Sequence, residues 1–127
     1  PTDPKDAPAD SLRGEILAKW KELGLASEPN VGDNGVHASA SPFEAVAERM
    51  NWLEKRCDQD EYCKAMVAAG VKEATINAWS VDPQVKCWKT DAKMGIQVAS
   101  KGSLFDQLED LDATPCLEKA KILQGVQ

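Results

Sequence analysis

Ser41-Pro42-Phe43-Glu44 constrains this chain more tightly than any other stretch. Serine is a preferred N-cap because its hydroxyl accepts from a backbone N–H that the first helical turn leaves without a partner. Proline suits the first helical position, where an N–H would have no intrahelical acceptor anyway. A glutamate three residues after the serine can reach back to a second amide and close a capping box. The sequence therefore predicts a helix from Pro42 to about Cys57. Phe43, Val46, Ala47, Met50 and either Leu53 or Trp52 are spaced to face inward.

Similar punctuation recurs along the chain. The first seven residues read as an extended, Pro-rich arm. A helix follows from about Ala9 to Leu23, with Leu12, Ile16, Leu17, Trp20 and Leu23 on one stripe and Gly24 as its stop. Gly14 interrupts that pattern at a cost of about 1 kcal/mol against alanine, so the first turn can stand apart. Pro29, Gly32 and Gly35 make residues 25–35 a loop, and Val36-His37-Ala38-Ser39 is short and extended. Asp58 and Glu61 imitate the Ser41 cap and open a helix to about Ala69, stopped by Gly70. A short helix over Lys72 to Trp79 and another from Asp82-Pro83 to near Gly95 come next. Gly95-Ile96-Gln97-Val98-Ala99-Ser100 is strand-like, and Ser103 and Thr114-Pro115 cap two last short helices. The expected fold class is mainly α with one or two short strands.

Composition narrows the function classes. The 127 residues amount to about one domain, 43% of them are hydrophobic, and 28% are charged. Fifteen Lys and Arg against 21 Asp and Glu give a net charge of −6. An acidic chain without a Lys/Arg cluster is a poor nucleic-acid binder, because duplex binding neutralises several phosphates. No apolar run is long enough for a membrane span. The start lacks the apolar core of a signal peptide, so a soluble chain is expected. Pro1 is not an initiator Met, and the start is expected to be that of a processed product or of a piece of a longer chain.

Cys57, Cys63, Cys87 and Cys116 contain no C-x-x-C pair. Core-filling free thiols are the first reading, one or two disulfides the second and metal the last. Trp20, Trp52, Trp79 and Trp88 are either core residues or a docking surface. Lys86-Cys87-Trp88-Lys89 flanks its tryptophan with cations and reads as partly exposed. Asp58, Asp60 and Glu61 lack the spacing of a calcium loop and read as a solvated helix start. Asp106, Glu109, Asp110 and Asp112 read as a solvated face.

His37 is the only histidine. It lies between a Gly-containing turn and the capped helix, within Asn34-Gly35-Val36-His37-Ala38-Ser39-Ala40-Ser41. A helix N-terminus is a place where anions bind, and a neutral imidazole beside it is a competent nucleophile or base. Glu48 can orient the ring from the helix. The plainer alternative is a histidine that only completes a turn or a surface.

Asp3-Pro4-Lys5-Asp6-Ala7-Pro8-Ala9-Asp10-Ser11-Leu12-Arg13-Gly14 is similar to the N-P-A-D-S-x-P-x-T-I/L-R-G pattern of nucleoside diphosphate kinases. Asn34, His37, Ser39 and Ser41 fall at the spacing of that family's N-x-x-H-G-S-D-S element, followed by Ala45, Glu48 and Trp52. The stretch from Asp3 to Leu53 thus resembles the C-terminal part of such a kinase. The resemblance implies a partial α+β element over residues 1–57 and a helical extension over residues 58–127. It implies that His37 is phosphorylated in a ping-pong transfer, with phosphate contacts from Arg13 and a nucleotide contact from Asn34. Ser39 and Glu48 would stand around the imidazole. No cofactor is called for beyond Mg²⁺ arriving with the nucleotide.

The departures shape the functional expectation. Ala38 replaces the family's glycine and Ala40 its aspartate, and an insertion separates Gly14 from Asn34. The family's earlier part, with its phosphate-binding lysine and most of its sheet, has no counterpart in these residues. The expectation is a degenerate kinase-like module, a structural or interaction subunit whose partners are other proteins, with no nucleic acid and no membrane span. The alternative is an active kinase moving a γ-phosphate through His37, with a nucleotide as the partner.

Overall fold

The computed structural model describes residues 1–126. They fall into two compact units, Pro1–Ala38 and Ser39–Gln127. Among the described residues the elements are mainly helical, with a single two-stranded antiparallel sheet. Among the described residues no helix is long and apolar enough to cross a membrane.

The first unit holds one helix, α1 (Leu12–Lys19). It is shorter at both ends than the sequence stripe suggests. Ser11 caps it, its hydroxyl accepting from Gly14 N at 3.2 Å. Leu12 and Leu23 stay 75% and 56% exposed, so the stripe is not a buried face. Gly14 has a packing reason inside the helix: a Cβ there would stand 2.2 Å from the Pro8 carbonyl oxygen. Close approach of the Pro8 turn outweighs helix propensity at this position. Residues 25–35 form the expected loop, but Val36–Ser39 pairs with no strand.

The second unit begins with the capped helix α2 (Pro42–Leu53). Ser41 Oγ accepts from Glu44 N at 3.1 Å, as the cap requires. The Glu44 carboxylate returns to Ala40 N, at 2.7 Å, one residue before the cap itself. Phe43, Val46 and Ala47 are buried and Met50 packs against the core. Glu54, in the left-handed region at φ 52°, ends the helix short of Cys57, and Trp52 and Leu53 remain exposed.

A 3-10 turn, Cys57–Gln59, follows, and then α3 (Glu61–Ala68). The cap of α3 is Asp60 rather than Asp58, because the turn uses up residues 57–59. Asp60 is buried and accepts from Tyr62 N and Cys63 N, both at 3.0 Å. The acidic cluster is therefore only partly solvated, as Asp58 and Glu61 pair with Arg56 and Lys64 at the surface. Cys57 and Cys63 form a disulfide, while Cys87 and Cys116 are buried free thiols. The free-thiol reading thus holds for one pair only.

After α4 (Glu73–Trp79) the expected helix from Asp82 is absent. The chain instead forms β1 (Gln84–Thr90), which pairs antiparallel with β2 (Gln97–Ser103). Val85 and Cys87 are buried while Lys86 and Trp88 are exposed, an alternation of period two that a helix cannot satisfy. So the region after residue 57 is not wholly helical. Two helices close the unit, α5 (Leu104–Leu108), capped by Ser103, and α6 (Ala113–Gly125). The core gathers Phe43, Met66, Ile76, Trp79, Leu104 and Leu108 among others. Phe43 lies edge-on to Trp79 at 6.0 Å and to Phe105 at 6.2 Å between ring centroids. Helix α2, which the resemblance groups with the N-terminal stretch, thereby packs into the core of the second unit.

Candidate functional site

Three of the sequence-selected residues belong to the first unit. Asn30 opens its loop: its side-chain oxygen accepts from Gly32 N at 2.9 Å and from Asp33 N at 3.1 Å. This local turn delivers Asn34, which is buried. The Asn34 amide nitrogen donates to Asn30 O at 3.0 Å and Val31 O at 3.1 Å. Its oxygen accepts from Val36 N at 3.2 Å and from Arg13 Nε at 3.1 Å. Asn34 is therefore the knot of the loop, with both ends of its amide used on the chain itself.

Arg13 projects from α1 into the same knot. Nη1 donates to Pro1 O at 2.7 Å and Nη2 to Val36 O at 3.1 Å. Each of the three guanidinium nitrogens thus holds an oxygen of this chain. Arg13, Asn34 and His37 all line one open cavity of about 590 Å³. His37 is exposed there.

Ser39 and Glu48 belong to the second unit. The Ser39 hydroxyl donates to Glu48 Oε2 at 2.5 Å, in the range of a charge-assisted O–H···O⁻ bond. That bond fixes the carboxylate of a half-buried glutamate on α2, one helical turn beyond the Glu44 carboxylate that takes Ala40 N. The sequence selected Asn34 and Arg13 for ligand contacts and missed their structural work. The signal for it was Asn30, whose position before a Gly-containing turn marks a side chain that bonds its own loop. No family model, no curated protein and no solved structure matches this chain.

The tryptophans divide between the two readings. Trp79 is core, and Trp20 is half-buried with the Lys21 ammonium 5.3 Å from its ring. Trp52 and Trp88 are 78% and 59% exposed.

Proposed function

We propose that this chain is a degenerate nucleoside-diphosphate-kinase-like module that serves as an interaction subunit of a larger assembly. The observation that carries this reading is the Arg13 guanidinium. An arginine that neutralises a transferring phosphoryl group has to present its donors to the phosphate oxygens. Arg13 donates instead to Pro1 O, Val36 O and Asn34 Oδ1. Asn34 is likewise spent on main-chain partners. The cluster works as a brace for the 30–36 loop. Ala38 and Ala40, where the kinase pattern has glycine and aspartate, fit the same reading. Exposed Trp52 and Trp88 supply the kind of side chain that anchors protein interfaces.

The active-kinase reading keeps one specific support. Arg13, Asn34 and His37 share a cavity, and the Ser39 hydroxyl donates to the Glu48 carboxylate. Incubating the longest native form of the protein with γ-labelled nucleoside triphosphate separates the two. The interaction-subunit reading expects no acid-labile phosphoryl group on His37 and elution at a mass above that of the form's own monomer. Stoichiometric acid-labile label on His37, lost in His37→Ala, overturns it.

A further inference from the structure

Among the described residues the β1–β2 sheet has two strands, so each strand has one side without a neighbouring strand. The ends of the ladder show which groups face outward. Asp91 N donates to Ile96 O at 2.8 Å, and Leu104 N donates to Pro83 O at 3.1 Å. The register between them runs unbroken from Gln84 opposite Ser103 to Thr90 opposite Gln97. In antiparallel pairing, residues that bond their opposite alternate with residues that do not. Val85, Cys87 and Lys89 share the phase of Pro83 and Asp91 and bond across to β2. Gln84, Lys86, Trp88 and Thr90 turn their main-chain N–H and C=O groups to the outside. No main-chain group among the described residues bonds the outward groups of Trp88 or Thr90.

Beside this edge, between β1 and α6, lies a cavity of about 410 Å³. Cys87, Trp88, Pro115, Lys119, Ile122 and Leu123 line it. Trp88 and Ile122 remain 59% and 62% exposed, although both are large and apolar. An open strand edge next to an apolar groove walled by a helix is the arrangement by which strand-addition modules take a peptide. Main-chain bonds give affinity there, and pockets for alternate side chains give selectivity.

The charge of the hairpin narrows the occupant. The chain carries −6, yet residues 84–103 hold Lys86, Lys89, Lys93 and Lys101 against a single acid, Asp91. Lys86 stands directly opposite Lys101, on the same face as the Trp88–Ala99 pair. A surface where lysines outnumber acids four to one favours an anionic side chain over a cationic one.

We propose that the outer edge of β1 takes an extended peptide as a third strand, with apolar and acidic side chains in alternation. Successive side chains of an added strand point to opposite faces. One set enters the groove beside α6, on the face where Val85 and Cys87 are buried. The other set lies beside Lys86 and Trp88. The first set is therefore apolar and the second acidic. The proposal uses nothing of the His37 cavity, and its fate is independent of the phosphorylation test above.

The full chain is titrated with a short synthetic peptide of alternating glutamate and valine, followed by amide hydrogen exchange and tryptophan fluorescence. The amides of Trp88 and Thr90 gain protection, while that of Cys87, already bonded to β2, does not change. Ile122→Glu and Lys86→Glu each weaken binding by about tenfold or more, as losing one interface anchor does. Both positions are exposed, and circular dichroism checks that both variants keep the fold. The proposal is overturned by equal binding of a peptide with its glutamates and valines in separate blocks. Absence of protection at Trp88 and Thr90 also overturns it, as does protection by phosphatidylserine vesicles but not by the peptide.

Discussion

Arg49 Nε donates to Asp60 Oδ2 at 2.6 Å, joining the last turns of α2 to the cap of α3 through a carboxylate that is 3% exposed. Burial pushes the Asp60 carboxyl up. The Arg49 guanidinium and the amides of Cys63 and Tyr62 outweigh that and hold it below its ordinary value. A carboxyl lowered in the folded state adds stability above its unfolded pKa of about 3.9, and that stability is lost as pH falls through the folded value.

Asp60→Asn keeps the side-chain oxygen but removes the charge. The variant loses about 2 kcal/mol at neutral pH, the worth of a charge-assisted hydrogen bond and part of a cap. Its loss of stability relative to the parent shrinks as both are acidified below pH 4, where the parent's own carboxyl protonates. Urea unfolding midpoints across that range check it. A constant gap between the two would show that Asp60 does not carry the acid response.

Phe43 is fully buried and touches both Trp79 and Phe105 edge-on. Truncating a buried aromatic costs about 3–5 kcal/mol in lost transfer energy and cavity. Phe43→Ala should unfold the second unit at a much lower denaturant concentration, and Phe43→Leu should recover a good part of the difference. Tryptophan fluorescence reports it through Trp79.

Gly14→Ala looks favourable by helix propensity, worth about 1 kcal/mol. The Pro8 carbonyl oxygen, 2.2 Å from the added Cβ, reverses the sign. The expected outcome is faster proteolysis within residues 1–38 with the fragment after Ser39 left resistant. Unchanged or slower cleavage would mean that the Pro8 turn yields without cost.

Cys57 and Cys63 close a short loop around the 3-10 turn. For a loop this small the chain-entropy contribution is about 2 kcal/mol. The Cys57→Ser/Cys63→Ser double variant should lose about that much, and a reducing agent should lower the parent's thermal midpoint without affecting the variant's. Equal shifts in both proteins would place the effect elsewhere.

The elements that could be read from the sequence are those whose signal is local. Ser41, Pro42 and Glu44 fix the start of α2 through groups at most four residues apart, and Ser103 does the same for α5. Errors arose where a distant partner decides. Asp82-Pro83 has the chemistry of a helix start, but the Asp82 carboxylate accepts from Ser103 Oγ at 2.7 Å and from Phe105 N at 2.9 Å, beyond the hairpin. The alternation of Val85 and Cys87 with Lys86 and Trp88 was present in the sequence and outweighed that cap. At the candidate site the resemblance singled out Arg13, Asn34, Ser39 and Glu48 for ligand and imidazole contacts, and the structure bonds Arg13 to Asn34 and Ser39 to Glu48. Residue types and spacing could not show that Nη1 and Nη2 of Arg13 would hold the main-chain oxygens of Pro1 and Val36, because those oxygens carry no residue identity.

The Asp82 carboxylate also sets an order of events. At five residues, α5 is far below the roughly 12–15 at which an isolated helix holds in water. Its first turn is secured by a side chain that lies before β1, so that turn is complete only once both strands have zipped together. Helix and hairpin therefore open and close as one cooperative piece. A fluctuation that frays the two strands at Gln84 and Ser103 releases α5 with it, and the amides of both elements share a single exchange clock.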